Sequence, residues 1–138
     1  MKKYLLFLLL TGSSFLAYAQ NKPVKILFDV TSKDSLTHQS VLNHVKGMSS
    51  AYENSSFEVV VYGGALSMVL KDKSTVSKAI ETASGNKNVA FAVCAQTMKR
   101  YNIDRSQLLP GVVVVPDAIM EIVTKQGEGW GYIKEAHH

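Results

Sequence analysis

Apolar positions along this chain fall in two rhythms. Nearly continuous apolar runs of strand length occupy residues 24–30, 57–62, 89–94, 111–115 and 130–134. Between them apolar residues recur every three or four positions, the spacing of one helix face. The first helical stretch carries Leu36, Val41, Leu42, Val45, Met48 and Tyr52, with Asp34 or Ser35 placed to cap it and Asn54-Ser55-Ser56 ending it. Gly63-Gly64 stops the second strand, and a short apolar helix is expected over 65–70. Ser74 or Thr75 opens the next helix, with Val76, Ala79, Ile80 and Ala83 on one face and Gly85-Asn86 at its end. A helix over 96–101 follows the third strand, then a turn and loop over 104–110. Gly111 to Val115 make the clearest buried strand. Pro116 closes it and suits the first turn of a helix over 117–126 whose apolar face is Ile119, Ile122 and Val123.

Buried strands alternating with helices imply βαβ units. The expected fold is a single α/β domain of three layers, a mostly parallel five-stranded sheet with helices on both faces. No linker, repeat or low-complexity segment divides it. In such sheets ligands bind outside the carboxyl ends of the strands, which selects three loops: residues 29–35, 62–66 and 94–98.

The first nineteen residues stand apart from this pattern. Lys2 and Lys3, an apolar run over 4–10 and Ala17-Tyr18-Ala19 ahead of Gln20 form the three parts of a secretory signal peptide over 1–19, with the folded domain over 20–138. Thr11-Gly12-Ser13-Ser14 interrupts the apolar run, well short of the roughly 20 residues that span a bilayer. The expectation is export, to the periplasm, with no membrane attachment after cleavage. Removal of the leader leaves 119 residues, enough for one core, and lowers the formal charge from +4 to +2. The remaining cations are scattered and not interleaved with aromatics, which argues against a nucleic-acid partner.

Cys94 is the only cysteine. It ends the third strand just ahead of a helix, where unpaired backbone N–H groups and the cations Lys99 and Arg100 would favour a thiolate. Against this stands the frequency with which free cysteine is simply buried. A single cysteine forms no internal disulfide, so the thiol is inert, bridged to another chain, or reactive. Gly63 and Gly64 have two readings: backbone N–H groups brought close to an anion, or a tight turn with positive φ, the commoner duty. The glycines over 127–131 lie between a helix and a strand, the reverse of a dinucleotide-binding loop. His38 and His44 are six apart on the first helix, off a shared face, and read as surface residues. His137 and His138 read as a tail. Asp29 suits a loop or an acid–base role, and Asp117 a helix first turn. With no histidine paired to Cys94, a Cys-His hydrolase has weak support. No metal and no organic cofactor is expected.

Several separate segments resemble, in order, the DsrE/DsrF-like family: Phe91-Ala92-Val93-Cys94-Ala95-Gln96-Thr97-Met98, Leu108-Leu109-Pro110-Gly111-Val112, Val115-Pro116-Asp117-Ala118 and Glu128-Gly129-Trp130-Gly131-Tyr132-Ile133-Lys134. The resemblance implies a parallel α/β domain that assembles as a homo-oligomer, a trimer or hexamer. It also implies a sulfur carrier in which Cys94 holds sulfane sulfur as a persulfide and passes it to a thiol partner protein. The site residues would be Cys94 as carrier, the N–H groups of Gln96 and Thr97 as anion stabilisers, and Gly63 and Gly64 as the facing wall. The alternative is a non-catalytic oligomeric domain that binds a small ligand or protein, with Cys94 structural. An apolar surface around Trp130 and Tyr132 would support assembly.

Overall fold

The computed structural model describes residues 22–136; the predicted leader, and His137 and His138, lie outside them. Five strands form one sheet: β1 Lys25–Val30, β2 Ser56–Val61, β3 Val89–Cys94, β4 Val112–Val115 and β5 Gly131–Lys134. Every pairing is parallel, and the spatial order is β4-β3-β2-β1-β5. The helices are α1 Ser35–Ala51, α2 Ser77–Ser84, α3 Ala95–Arg100 and α4 Ala118–Gly127, with 3₁₀ segments at Gly63–Val69 and Arg105–Gln107. The Asp34 carboxylate caps α1 by accepting the Leu36 N–H. Asp117 caps α4 by accepting from Ile119 and Met120.

The strand order decides which face each helix covers. From β1 to β4 the chain steps in one direction, so right-handed crossovers put the intervening helices on one face of the sheet. There Phe28, Val30, Val59, Val61, Phe91 and Val93 pack against α1, α2, α3 and the first 3₁₀ segment in the main core. From β4 to β5 the chain returns across the sheet in the opposite sense, so α4 is the one described helix on the other face. Its Ala118 and Ile122 join a smaller cluster with Leu27, Val60, Ala92 and Cys94.

The thin second layer overturns part of the expected apolar face of α4. Ile122 is buried, but Ile119 and Val123 are 61% and 55% exposed, because no element among the described residues lies beyond this helix to cover them. Leu36 and Tyr52 at the ends of α1 are exposed for the same reason, whereas Val41, Leu42 and Val45 are core. His38 is buried, contrary to the surface position expected of it: its Nε2 donates to the Ser32 carbonyl at 2.8 Å, which satisfies the ring inside the protein. His44 remains exposed and donates from Nδ1 to the buried Glu135 carboxylate at 2.7 Å. No helix among the described residues is long and apolar enough to cross a membrane.

Candidate functional site

Adjacent strands whose following loops leave toward opposite faces open a crevice at the sheet's carboxyl edge. Here those strands are β3, which continues into α3 on the main-core face, and β4, which continues into α4 on the other. Cys94 is the last residue of β3 and pairs in register with Val115 at the end of β4. Strand alternation turns its side chain to the thinly covered face, where it is 5% exposed beneath the start of α4.

The sulfur is surrounded by donors. Sγ accepts the Ala118 N–H at 3.4 Å, and the N–H groups of Thr97 and Gln96 and the Thr97 hydroxyl also face it. Burial pushes the thiol up, and these donors more than offset it, leaving Cys94 below its ordinary value. Thr97, itself buried, accepts the Gly63 N–H on Oγ1 at 3.1 Å, so the loop after β2 is tied to the helix after β3. Gly63 needs its freedom, with φ at +58°. Gly64 is restricted by space: a Cβ there would stand 3.0 Å from the Thr31 carbonyl oxygen. The structure therefore brings Gly63, Thr97, Gln96 and Cys94 together, while Gly64 packs on the loop after β1.

Along the rest of this edge, sequence reasoning placed Asp29 and Tyr62 in the selected loops but missed their contacts with Tyr132 and Lys134. Beyond Val61, which pairs with Val93, Tyr62 stands beside Cys94 and packs against the same cluster. One strand further, the buried Asp29 carboxylate accepts from Tyr132 at 2.6 Å, Lys134 at 3.0 Å and Tyr62 at 3.5 Å. Lys134 also donates to Thr31 Oγ1 at 2.7 Å and sits 5.8 Å from the Tyr62 ring centroid. A polar row thus crosses the sheet edge from Lys134 through Asp29 and Tyr62 to Cys94. The bond to Asp29, with burial added, holds the Tyr132 phenol up at about 12. Tyr62 is raised by burial first, then by the negative charge of Asp29 and of Cys94. The available signal was the period of two in β1 and β5, which sets Asp29 and Lys134 on one face; their pairing needs the strand order, which no local pattern supplies.

Two further features lie outside this row. Lys125 of α4 bonds the buried Glu58 carboxylate at 2.8 Å, reaches Glu121 at 3.6 Å and stands 4.6 Å from the Trp130 ring centroid. A groove of about 590 Å³ between α1 and α2, with Gln39, Asn43, Lys46 and Lys78 in its walls, shares no residue with the thiol edge. Among the described residues no group of three or more His, Cys, Asp or Glu side chains is placed to hold a metal ion.

The sequence model of the DsrE/DsrF-like family matches the chain over residues 25–134. The protein belongs to the DsrE/DsrF-like family. Membership suggests a sulfur-relay-related function. Two solved structures are similar. MTH1491 from Methanobacterium thermoautotrophicum, described as a protein of unknown function, is 28% identical with a TM-score of 0.75, over 80% of this chain and 98% of its own. BT1422 from Bacteroides thetaiotaomicron, a conserved protein of unknown function, shares the fold at 13% identity and a TM-score of 0.61, over 80% of this chain and 93% of its own. No curated protein matches the chain.

Proposed function

We propose that this DsrE/DsrF-like protein is an exported sulfur carrier whose working group is Cys94. The observation that carries the reading is the donor set on Sγ, which stabilises a thiolate in a position closed to bulk water. The thiolate attacks the outer sulfur of a sulfane donor. A new S–S bond forms to Cys94, the donor's S–S bond breaks, and its electron pair leaves with the remainder of the donor. An acceptor thiolate then attacks the outer sulfur of the Cys94 persulfide and takes it, returning Cys94 as thiolate. Gln96, Thr97 and Ala118 hold the inner sulfur, and Gly63 keeps Thr97 in place.

Export rests on the leader pattern over 1–19. In an oxidising compartment, the acceptor would be a dedicated thiol partner protein rather than the soluble thiol pool. Self-association is supported by apolar side chains on the thinly covered side of the sheet: Val113, Ile119, Met120 and Val123 are 50–61% exposed. Around the other candidate surface, Tyr132 is 42% exposed with its hydroxyl bonded to Asp29, and Trp130 is half-buried against Lys125.

The burial of Cys94 favours a second reading, a binding domain in which the cysteine is structural. Intact-mass analysis separates the two. A carrier incubated with inorganic tetrasulfide gains roughly 32 Da, one sulfur atom, and alkylation of Cys94 blocks the gain. A folded protein that neither gains that mass nor labels with iodoacetamide is not a carrier. The mass of the protein recovered from the periplasm reports cleavage after Ala19 in the same measurement.

A further inference from the structure

A persulfide places its outer sulfur about 2.05 Å beyond Sγ, so it lies past the groups that hold the inner atom. The N–H groups of Ala118, Thr97 and Gln96 are directed at Sγ. The outer sulfur carries the negative charge and needs a donor of its own.

One donor beside Cys94 is loosely engaged. Asp29 Oδ2 is shared by two phenols: Tyr132 binds it at 2.6 Å, a strong charge-assisted bond, whereas Tyr62 lies at 3.5 Å, the outer limit of hydrogen bonding. Tyr62 is the nearer of the two to the thiol, since it follows Val61, the register partner of Val93, and packs on the cluster that contains Cys94. Its ring is steadied by Lys134, 5.8 Å from the centroid. Gly63, held by Thr97, fixes the backbone immediately after it. A phenolic O–H turns about its C–O bond without moving the ring, so the proton is free to leave Asp29 for another acceptor within reach.

We propose that Tyr62 is a positioning residue for the outer sulfur: its hydroxyl, weakly held by Asp29 in the resting protein, donates to the terminal sulfur of the Cys94 persulfide. The proposal rests on the carrier reading above. No proton is transferred; the phenol keeps its own, consistent with the burial and then the neighbouring negative charges that hold it in the neutral form. The titratable and charged groups facing Tyr62 are Asp29 from β1, Lys134 and Tyr132 from β5, and Cys94 from β3. From α4, Asp117 is taken up by the N–H groups of Ile119 and Met120, and Lys125 by Glu58.

The test is Tyr62→Phe, which removes one oxygen and keeps the ring, with thermal unfolding to establish that the variant is folded. Wild type and variant are loaded with inorganic tetrasulfide and alkylated with iodoacetamide across pH, free and loaded forms being resolved by intact mass. Loss of one hydrogen bond to an anion shifts the midpoint for the loaded form upward by about one pH unit, about tenfold in anion population. A structural contribution from the ring alone leaves that midpoint in place. Wild type that loads, with a variant whose profile coincides with it, overturns the proposal and leaves the carrier reading standing. Wild type that alkylates but never loads overturns the carrier reading, and the proposal with it. A wild-type thiol that neither alkylates nor loads removes both.

Discussion

Lys125→Met tests how α4, the helix over the thiol, is held down. Glu58 sits in the central strand β2 under α4 with its side chain 6% exposed, and its close cation is Lys125 at 2.8 Å. Breaking a fully buried pair from one side costs about 3–5 kcal/mol, because the remaining charge stays buried without a partner. Lys125 is 23% exposed, so water partly replaces it, and methionine keeps most of its packing. An expected loss of about 2 kcal/mol near neutral pH follows from these two corrections. The cation–π contact with Trp130 accounts for about 0.5 kcal/mol of it. The pH dependence identifies the cause. Burial already raises the Glu58 carboxyl above 4.5 despite the attraction of Lys125. A carboxyl raised in the folded state contributes stability that is fully present below its unfolded value and is lost as pH rises through the folded one. Removing Lys125 raises the folded value further, so the variant's deficit should be small near pH 4 and full by about pH 7.5. Urea unfolding at both pH values, with Glu58→Gln added in the variant background, measures this. A deficit equal at the two pH values, or one that Glu58→Gln does not reduce, would refute the account. The same variant should expose Cys94 to iodoacetamide more often, because Ala118 rides on the same helix.

Three other outcomes follow from the site. Gly64→Ala should destabilise by about 1–3 kcal/mol in thermal unfolding, because the new methyl meets backbone atoms of Thr31 and Lys33 that cannot withdraw. Thr97→Val removes the acceptor of the Gly63 N–H and one donor to Cys94; iodoacetamide labelling at fixed neutral pH should slow by up to about tenfold, and an unchanged rate would mean the hydroxyl does not act on the sulfur. In an ultraviolet titration, Tyr132 should ionise only around pH 12, and that step should vanish in Tyr132→Phe. Its raised value contributes stability present below pH 10.0 and lost toward 12; with Tyr132 42% exposed, screening limits it to about 1 kcal/mol.

The strands and their carboxyl-edge loops were legible because local patterns determine them. Val112 to Val115 and the run ending at Cys94 have no other reading, and alternation with helices makes the sheet parallel. Boundaries moved slightly: α2 begins at Ser77, after the expected Ser74 or Thr75, and the short apolar helix is a 3₁₀ segment from Gly63. What escaped depended on who covers whom. Ile119 and Val123 have the same spacing as core residues, and only the return crossover shows that nothing lies outside them. His38 looks like any polar helix residue until the Ser32 carbonyl is folded back onto it. Asp29 is an acid–base candidate from its position alone, but its partners Tyr132 and Lys134 lie over a hundred positions later, and only the strand order joins them to it.

The return of the chain from β4 to β5 has a consequence during synthesis. Residues 25–115 contain four contiguous strands and most of the main core, so this part can pair as it emerges. Asp29, made early, lacks Tyr132 and Lys134 until the last strand is delivered to the far side of β1. Closing that distance is the slowest kind of contact to form. The thiol is likewise uncovered until α4, in the same late stretch, swings over it. A nascent or partly folded chain therefore presents its one thiol before α4 covers it, and the order of translation, as much as the finished architecture, sets when Cys94 is first protected.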